Sequence, residues 1–381
     1  MPIKVRISGF KSIGHVEMEP APLTVLIGPP ASGKSNILDA LALLGYLSRH
    51  FLVDSEYKGQ PSLIEPASLL ARFKNYQEIF RLQDLSKTVK VVVNLDGSDV
   101  VDVEMYYTQG VLRVKLNGVE APANIDPLRS GSSQGDNAAI AGWVKSSLKS
   151  RFDVRVYGYE RYGLSTSVCT NEVVCNFYSR LKGSNPKPAP VSVLSELAWN
   201  VTRMLKSIPW VVPEVNDAVR EHFGERVELK VLRNGTVAVF DYDYEIDIAS
   251  LSDGILRPLY YLLALASAVN YAKLRGLEGK LIVGLEEPES HVFPFMMNLI
   301  AKYIADAARY AVVIVSTHNP IFASMLGDKV ENARFYYVFR GKHGSTSVLE
   351  IDVQALARDL KTIEDVMMMS PSDVTKSIAK G

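Results

Sequence analysis

Residues Gly28-Pro29-Pro30-Ala31-Ser32-Gly33-Lys34-Ser35 carry the spacing G-x-x-x-x-G-K-[ST]. Backbone N–H groups after Ala31, together with the helix N-terminus expected near Ser35, can cradle phosphate oxygens. Lys34 would neutralise β/γ-phosphate charge, and the Ser35 hydroxyl suits Mg²⁺. Pro29 and Pro30 have no amide hydrogen, so the cradle falls to residues 31–36. Farther along, Leu281-Ile282-Val283-Gly284-Leu285 runs into Glu286-Glu287-Pro288-Glu289. There Glu286 suits the water shell of Mg²⁺, and Glu287 suits a base that orients water onto a γ-phosphate. Taken alone, such an acidic strand end is also compatible with a solvated turn. A second apolar run, Val312-Val313-Ile314-Val315, ends in Ser316-Thr317-His318. Its distance from the acids is that of one crossover helix, which puts His318 at the same sheet edge as Glu287, within reach of a γ-phosphate. Ser252 or Asp253, in Leu251-Ser252-Asp253-Gly254, is a natural N-cap. With Gly254 that helix start is either an anion site or a capped helix and nothing more.

These groups need a scaffold that brings distant segments to one edge. Leu23-Thr24-Val25-Leu26-Ile27 is uniformly apolar but for Thr24, as a buried parallel strand should be, and it runs straight into the glycine loop. Ile37, Leu38, Leu41, Leu44 and Leu47 then recur at helical spacing. Residues 3–7 and 14–18 alternate as strands around Ser8-Gly9-Phe10-Lys11-Ser12. Residues 88–93, 99–107 and 111–116 read as antiparallel sheet, with turns at Asp96-Gly97 and Gln109-Gly110. Ala121 to Asn137 is expected to be a loop, 152–157 a strand, Gly183 to Pro190 a linker or exposed loop, and 191–207 and 214–223 helices. Three short strands at 227–249 share an Asn234-Gly235 hairpin turn. After them the pattern is helix 254–274, strand 280–285, helix 293–308, strand 311–316, helix 320–326 and strands 335–340 and 346–351.

In this order the four constellations resemble an ABC-type ATPase head. The opening Ile7-Ser8-Gly9-Phe10-Lys11-Ser12-Ile13 and the Glu-Glu-Pro-Glu run are similar to the RecF/SMC/OLD-like AAA ATPase branch. The resemblance covers residues 1–50 and 245–340 best. It implies an α/β P-loop NTPase fold with a mixed central sheet, an antiparallel β subdomain and an inserted helical lobe. The implied division is 1–122 and 251–352 for the two parts of the head, 123–250 for the inserted lobe and 353–381 for a C-terminal helix and tail. Its implied cofactors are ATP and Mg²⁺. Gly28, Ala31, Ser32, Gly33, Lys34, Ser35 and Asn36 would bind nucleotide, Ser35 and Glu286 would hold the metal, Glu287 would activate water and His318 would act as the switch histidine. Ser252 and Gly254 would complete the site of a second copy in an ATP-induced homodimer. Glu286 stands where aspartate is usual in ABC proteins generally, and Asp253 where the first signature glycine is usual. Arg161 is the candidate nucleotide-state sensor. The chain shows no sustained heptads or Cys-x-x-Cys hook, and the stretch after the last strand is too short for the Toprim nuclease of OLD proteins. The expected function is ATP hydrolysis in DNA maintenance or defence, with DNA or a separate nuclease or effector chain as partner. The alternative is an ATP-dependent switch regulating a partner protein, and a transporter subunit fits less well.

Composition agrees with a folded chain: 47% hydrophobic and 22% charged residues disfavour disorder and coiled coil. Lys+Arg 42 against Asp+Glu 42 leaves no global field for nucleic acid, so a polyanion would have to be met locally. The richest basic stretch holds Lys145, Lys149, Arg151, Arg155, Arg161, Arg180, Lys182 and Lys187 against three acids, with Trp143, Phe152, Tyr157 and Tyr159 interleaved. This is either a nucleic-acid contact or a solvated face. Cys169 and Cys175 are too few for a disulfide framework, there is no signal-peptide pattern, and the longest apolar run, Pro258 to Val269, is too short to span a bilayer. A cytoplasmic location without membrane contact is expected.

Overall fold

The structure is a computed structural model of the 381-residue chain. It describes all residues except 1–2, 53–66, 96, 98–99, 129–133, 149–151, 160–192, 195, 197, 199–200, 224–226, 233–236, 247–252, 359–360 and 379–381.

The apolar runs become a six-stranded mixed sheet. Strands β3 (Leu23–Ile27), β8 (Asp153–Tyr157), β12 (Leu281–Glu286), β13 (Val312–Ser316), β14 (Arg334–Arg340) and β15 (Thr346–Ile351) lie in the order β15-β14-β3-β13-β12-β8. All neighbours are parallel except β14 and β15, which form an antiparallel hairpin. Every residue of β3, β8 and β13 is buried, which is why these strands read as continuous rather than alternating. Helices cover the sheet. Lys34–Leu52 follows β3, Asp253–Arg275 precedes β12, Pro294–Ala307 joins β12 to β13, and Pro320–Lys329 joins β13 to β14. Ala40, Leu41, Leu44 and Leu47 of the first helix enter the common core, as their spacing requires.

A second six-stranded sheet is antiparallel. Strands β1 (Lys4–Ser8), β2 (His15–Met18), β4 (Val89–Asn94), β5 (Val100–Thr108), β6 (Val111–Leu116) and β7 (Val119–Glu120) lie in the order β2-β1-β4-β5-β6-β7. Along β4 and β6 buried and half-buried residues alternate, the signature of a sheet with one face on the core. A three-stranded sheet, β9 (Val227–Val231), β10 (Val237–Asp241) and β11 (Tyr244–Ile246), packs beside the helix Val211–Phe223.

Two expectations change, and one strand finds an unexpected place: β8, from within 123–250, pairs with β12 as the edge of the parallel sheet, Leu281 opposite Asp153. A single strand taken alone carries no information about which sheet it joins. The expected loop to Asn137 ends early, since Gln134–Ser147 is a helix whose Trp143 packs inward and donates Nε1–H to Val119 O at 3.1 Å. In the expected helix 191–207 only Val201–Ser207 is helical among the described residues. Among the described residues no helix is long and apolar enough to cross a membrane.

Candidate active site

The carboxyl ends of β3, β13 and β12 are adjacent, in that order, at one edge of the sheet. Each ends in one of the predicted motifs, and the line of side chains follows the strand order. Lys34 Nζ lies 3.3 Å from His318 Nδ1, and His318 Nε2 lies 3.1 Å from Glu287 Oε1. These partners select the tautomer in which Nδ1 accepts from Lys34 and Nε2–H donates to Glu287.

After β3, Gly28 (φ 140°) and Gly33 (φ 109°) adopt backbone angles that L side chains rarely adopt. A Cβ at Gly28 would meet Val338 O at 2.1 Å, and one at Gly33 would meet Thr346 Oγ1 at 2.0 Å. The loop is therefore pressed against the β14–β15 hairpin. From that hairpin Arg340 Nε donates to Ala31 O at 2.7 Å, and Thr346 Oγ1 donates to Ser32 O at 3.1 Å. The amide of Ser32 is used within the loop, donating to Pro29 O. The amides of Lys34 and Ser35 open the helix Lys34–Leu52 and have no intrahelical acceptor, which leaves them to an anion. Lys34 is 4% exposed, and its ammonium donates to Gly28 O at 2.7 Å and Pro29 O at 3.0 Å. Burial pushes its pKa down to about 8 against the pull of Glu287, Glu286 and Glu289. Asn36 turns elsewhere: its Nδ2 donates to Ser12 Oγ at 2.6 Å, tying the first helix to the β1–β2 turn.

Glu287 leaves β12 in the left-handed region, φ 44°, a conformation that costs about 1 kcal/mol or more for a residue with a side chain. Its N–H donates to Ser316 O at 2.9 Å, and Ser290 Oγ donates to its Oε2 at 3.1 Å. The His318 hydrogen bond, above all, holds its carboxyl below the usual range, so it is ionised at neutral pH and able to accept a proton. Glu286 points to the other side, with Oε1 3.3 Å from Arg72 Nη1. Arg72 also grips the buried Asp39, which Lys11 Nζ meets at 2.6 Å. The backbone carbonyl of Glu286 accepts from the fully buried Tyr261 hydroxyl at 2.7 Å, and that hydroxyl accepts from Tyr159 N–H at 3.0 Å.

Glu286 and Ser35 offer hard oxygen donors, and Ser316, the β13 partner of Glu286, has a buried Oγ with no hydrogen-bond partner among the described residues. No group of three or more acidic, histidine or cysteine side chains that could hold a metal occurs among the described residues. That combination fits Mg²⁺, which binds through one or two protein oxygens with substrate phosphates rather than in an all-protein cage.

The remaining predicted residues are not assembled here. Leu251 and Ser252 lie outside the described residues, and Gly254 sits in the first turn of Asp253–Arg275. Arg161, Cys169 and Cys175 also lie outside them. In the basic, aromatic stretch Lys145 is exposed, but the other basic and aromatic residues of its described part turn inward. Arg155 is buried between Asp153 at 2.8 Å and Glu196 at 3.5 Å, and Trp143, Phe152, Tyr157 and Tyr159 are core residues, so these aromatics offer no stacking platform. Sequence reasoning missed Arg72, Arg340, Tyr261 and Glu289. Only Glu289 had a local signal, as the third acid of Glu-Glu-Pro-Glu; the others arrive from distant segments.

Residues 207–324 match the family described as "AAA domain, putative AbiEii toxin, Type IV TA system". No curated protein matches. Among solved structures, the chain is similar to the Smc head bound to the C-winged helix domain of ScpA, with TM-score 0.54 and 15% identity over 93% of this chain and 99% of that one. It is also similar to an Smc head domain with an extended coiled coil, bound to the C-terminal domain of ScpA derived from Pyrococcus furiosus. That match has TM-score 0.51 and 15% identity over 94% of this chain and 99% of that one. The fold is that of the Smc head domains, an α/β architecture around a mixed sheet.

Proposed function

We propose that the protein binds ATP with Mg²⁺ and hydrolyses it, with two copies closing on the nucleotide. The observation that carries this reading is the line Lys34, His318, Glu287 at the carboxyl edge of the sheet, beside a phosphate-shaped loop. The Lys34 and Ser35 amides and the Lys34 ammonium bind the phosphates. Glu287, ionised and held by His318 and Ser290, accepts the proton of the attacking water. His318 reports the γ-phosphate to that base through its two ring nitrogens. Ser35 and Glu286 would hold Mg²⁺, which when bound neutralises charge on the β- and γ-oxygens. Ser252 and Gly254 would supply the facing copy's share of the site.

Glu287→Gln tests the assignment, because it keeps the shape and removes the base. Its turnover should fall about 100-fold or more while ATP binding persists. Hydrolysis at the wild-type rate would overturn Glu287 as base. The Arg72–Glu286 pair at 3.3 Å favours a second reading, in which nucleotide loading serves as a switch that releases Arg72 and recruits a partner chain. The binding of ScpA domains by the similar Smc heads supports a protein partner, and the match to a family described as a type IV toxin–antitoxin system supports a defence role.

A further inference from the structure

His318 sits in a short turn between β13 and the helix Pro320–Lys329, and its place depends on the residues either side of it. Thr317 is fully buried, and its N–H donates to Leu26 O at 3.1 Å. Its hydroxyl accepts from Asn319 N–H at 2.9 Å and donates to Glu289 Oε1 at 2.5 Å. Asn319 in turn caps the following helix, its Oδ1 accepting from Phe322 N–H at 3.1 Å. A continuous chain of bonds thus runs from Glu289 through Thr317 and Asn319 to the helix N-terminus, and it brackets His318 on both sides.

Glu289 is poorly placed for stability alone. It is 3% exposed, and its Oε2 has no hydrogen-bond partner among the described residues. A buried carboxyl with an orphaned oxygen costs folding free energy that an apolar side chain would not. It follows Glu287 with only Pro288 between them, so it belongs to the same strand exit as the base while facing the interior.

We propose that Glu289 is a positioning residue for the switch histidine: through Thr317 it fixes the Thr317-His318-Asn319 turn, and so holds His318 Nε2 at Glu287 Oε1. The proposal rests on the hydrolytic reading for its effect on turnover, but the geometry it claims exists in the protein alone.

The test uses Thr317→Val, which keeps shape and removes the hydroxyl, with Glu289→Ala and the conservative Thr317→Ser. The first readout is the His318 imidazole resonances of the nucleotide-free protein, assigned with His318→Gln. Thr317→Val and Glu289→Ala should shift or broaden them, and Thr317→Ser should leave them as in wild type. The second readout is steady-state ATP hydrolysis, where the two disruptive variants should lose about tenfold or more in kcat with KM changed less than about twofold. Unchanged His318 signals in a folded Thr317→Val would overturn the proposal, as would equal effects on kcat and KM. If wild type shows no turnover yet the His318 signals respond as stated, the hydrolytic reading fails and the positioning role stands.

Discussion

At the residue scale, burial creates two titrations that a surface lysine or glutamate would not show. Lys34 is lowered from 10.5 to about 8, chiefly by desolvation. Between those values the unfolded chain holds a proton that the folded one has released, so this group's contribution to stability rises with pH through that window. Phosphate binding favours the charged lysine, so above about pH 8 binding must take up a proton and affinity must fall as pH rises. Calorimetry of ATP binding in buffers of different ionisation enthalpy reads that uptake directly, and no uptake near pH 9 would contradict the burial of Lys34. Glu289 moves the other way, raised from 4.5 to about 7 because its desolvation outweighs the Thr317 hydrogen bond. The folded protein then keeps a proton between those values that the unfolded chain has lost. Stability therefore falls as pH rises through the window, by about 3 kcal/mol for a shift of this size. Glu289→Gln lacks that loss, so its melting temperature relative to wild type should rise between about pH 5 and about pH 8. A constant difference across that range would show that Glu289 ionises normally.

At the scale of elements, the phosphate loop is shaped from behind by the β14–β15 hairpin, which enters the sequence three hundred residues later. Gly28 faces a backbone carbonyl at 2.1 Å, which cannot rotate away, whereas a Cβ on Gly110 (φ 78°) would meet open space. Gly28→Ala should destabilise by about 2 to 3 kcal/mol in urea denaturation, against about 1 kcal/mol for Gly110→Ala, where only the backbone angle is at issue. Equal costs would mean that the loop does not press on β14. The Lys11, Asp39 and Arg72 cluster does a similar job from the front, joining the β1–β2 turn and the residues after helix Ala67–Leu70 to the first helix. Lys11 was legible only as part of a Gly-Phe-Lys-Ser opening, and its buried partner Asp39 reads as an ordinary helical residue.

At the scale of the whole molecule, the site is assembled at one edge of a sheet whose members come from both ends of the chain and from its middle. The helix Asp253–Arg275 meets the acids at Tyr261, whose hydroxyl donates to the backbone carbonyl of Glu286. The proposed two-copy arrangement assigns Ser252 and Gly254 to the facing copy's site. Light scattering on Glu287→Gln should show the mass doubling with ATP and Mg²⁺ and reverting on their removal. A monomer that binds ATP would sink the two-copy arrangement and leave the partner-recruiting switch.

The local patterns were sufficient for much of this. The glycine spacing, the apolar runs into Glu286 and Ser316 and the helical recurrence after Asn36 fix strand, loop and helix, because each depends on residues close in sequence. So Lys34, Glu287 and His318 could be named before any fold was known. The order β3-β13-β12, which sets His318 between Lys34 and Glu287, could not be read, since any order of three buried strands has the same local sequence. Nor could the membership of β8, the inward turn of Arg155 and the neighbouring aromatics, or the reach of Arg72 to Glu286. Those are long-range pairings, chosen by packing and charge burial across the whole chain, and only the tertiary structure decides them.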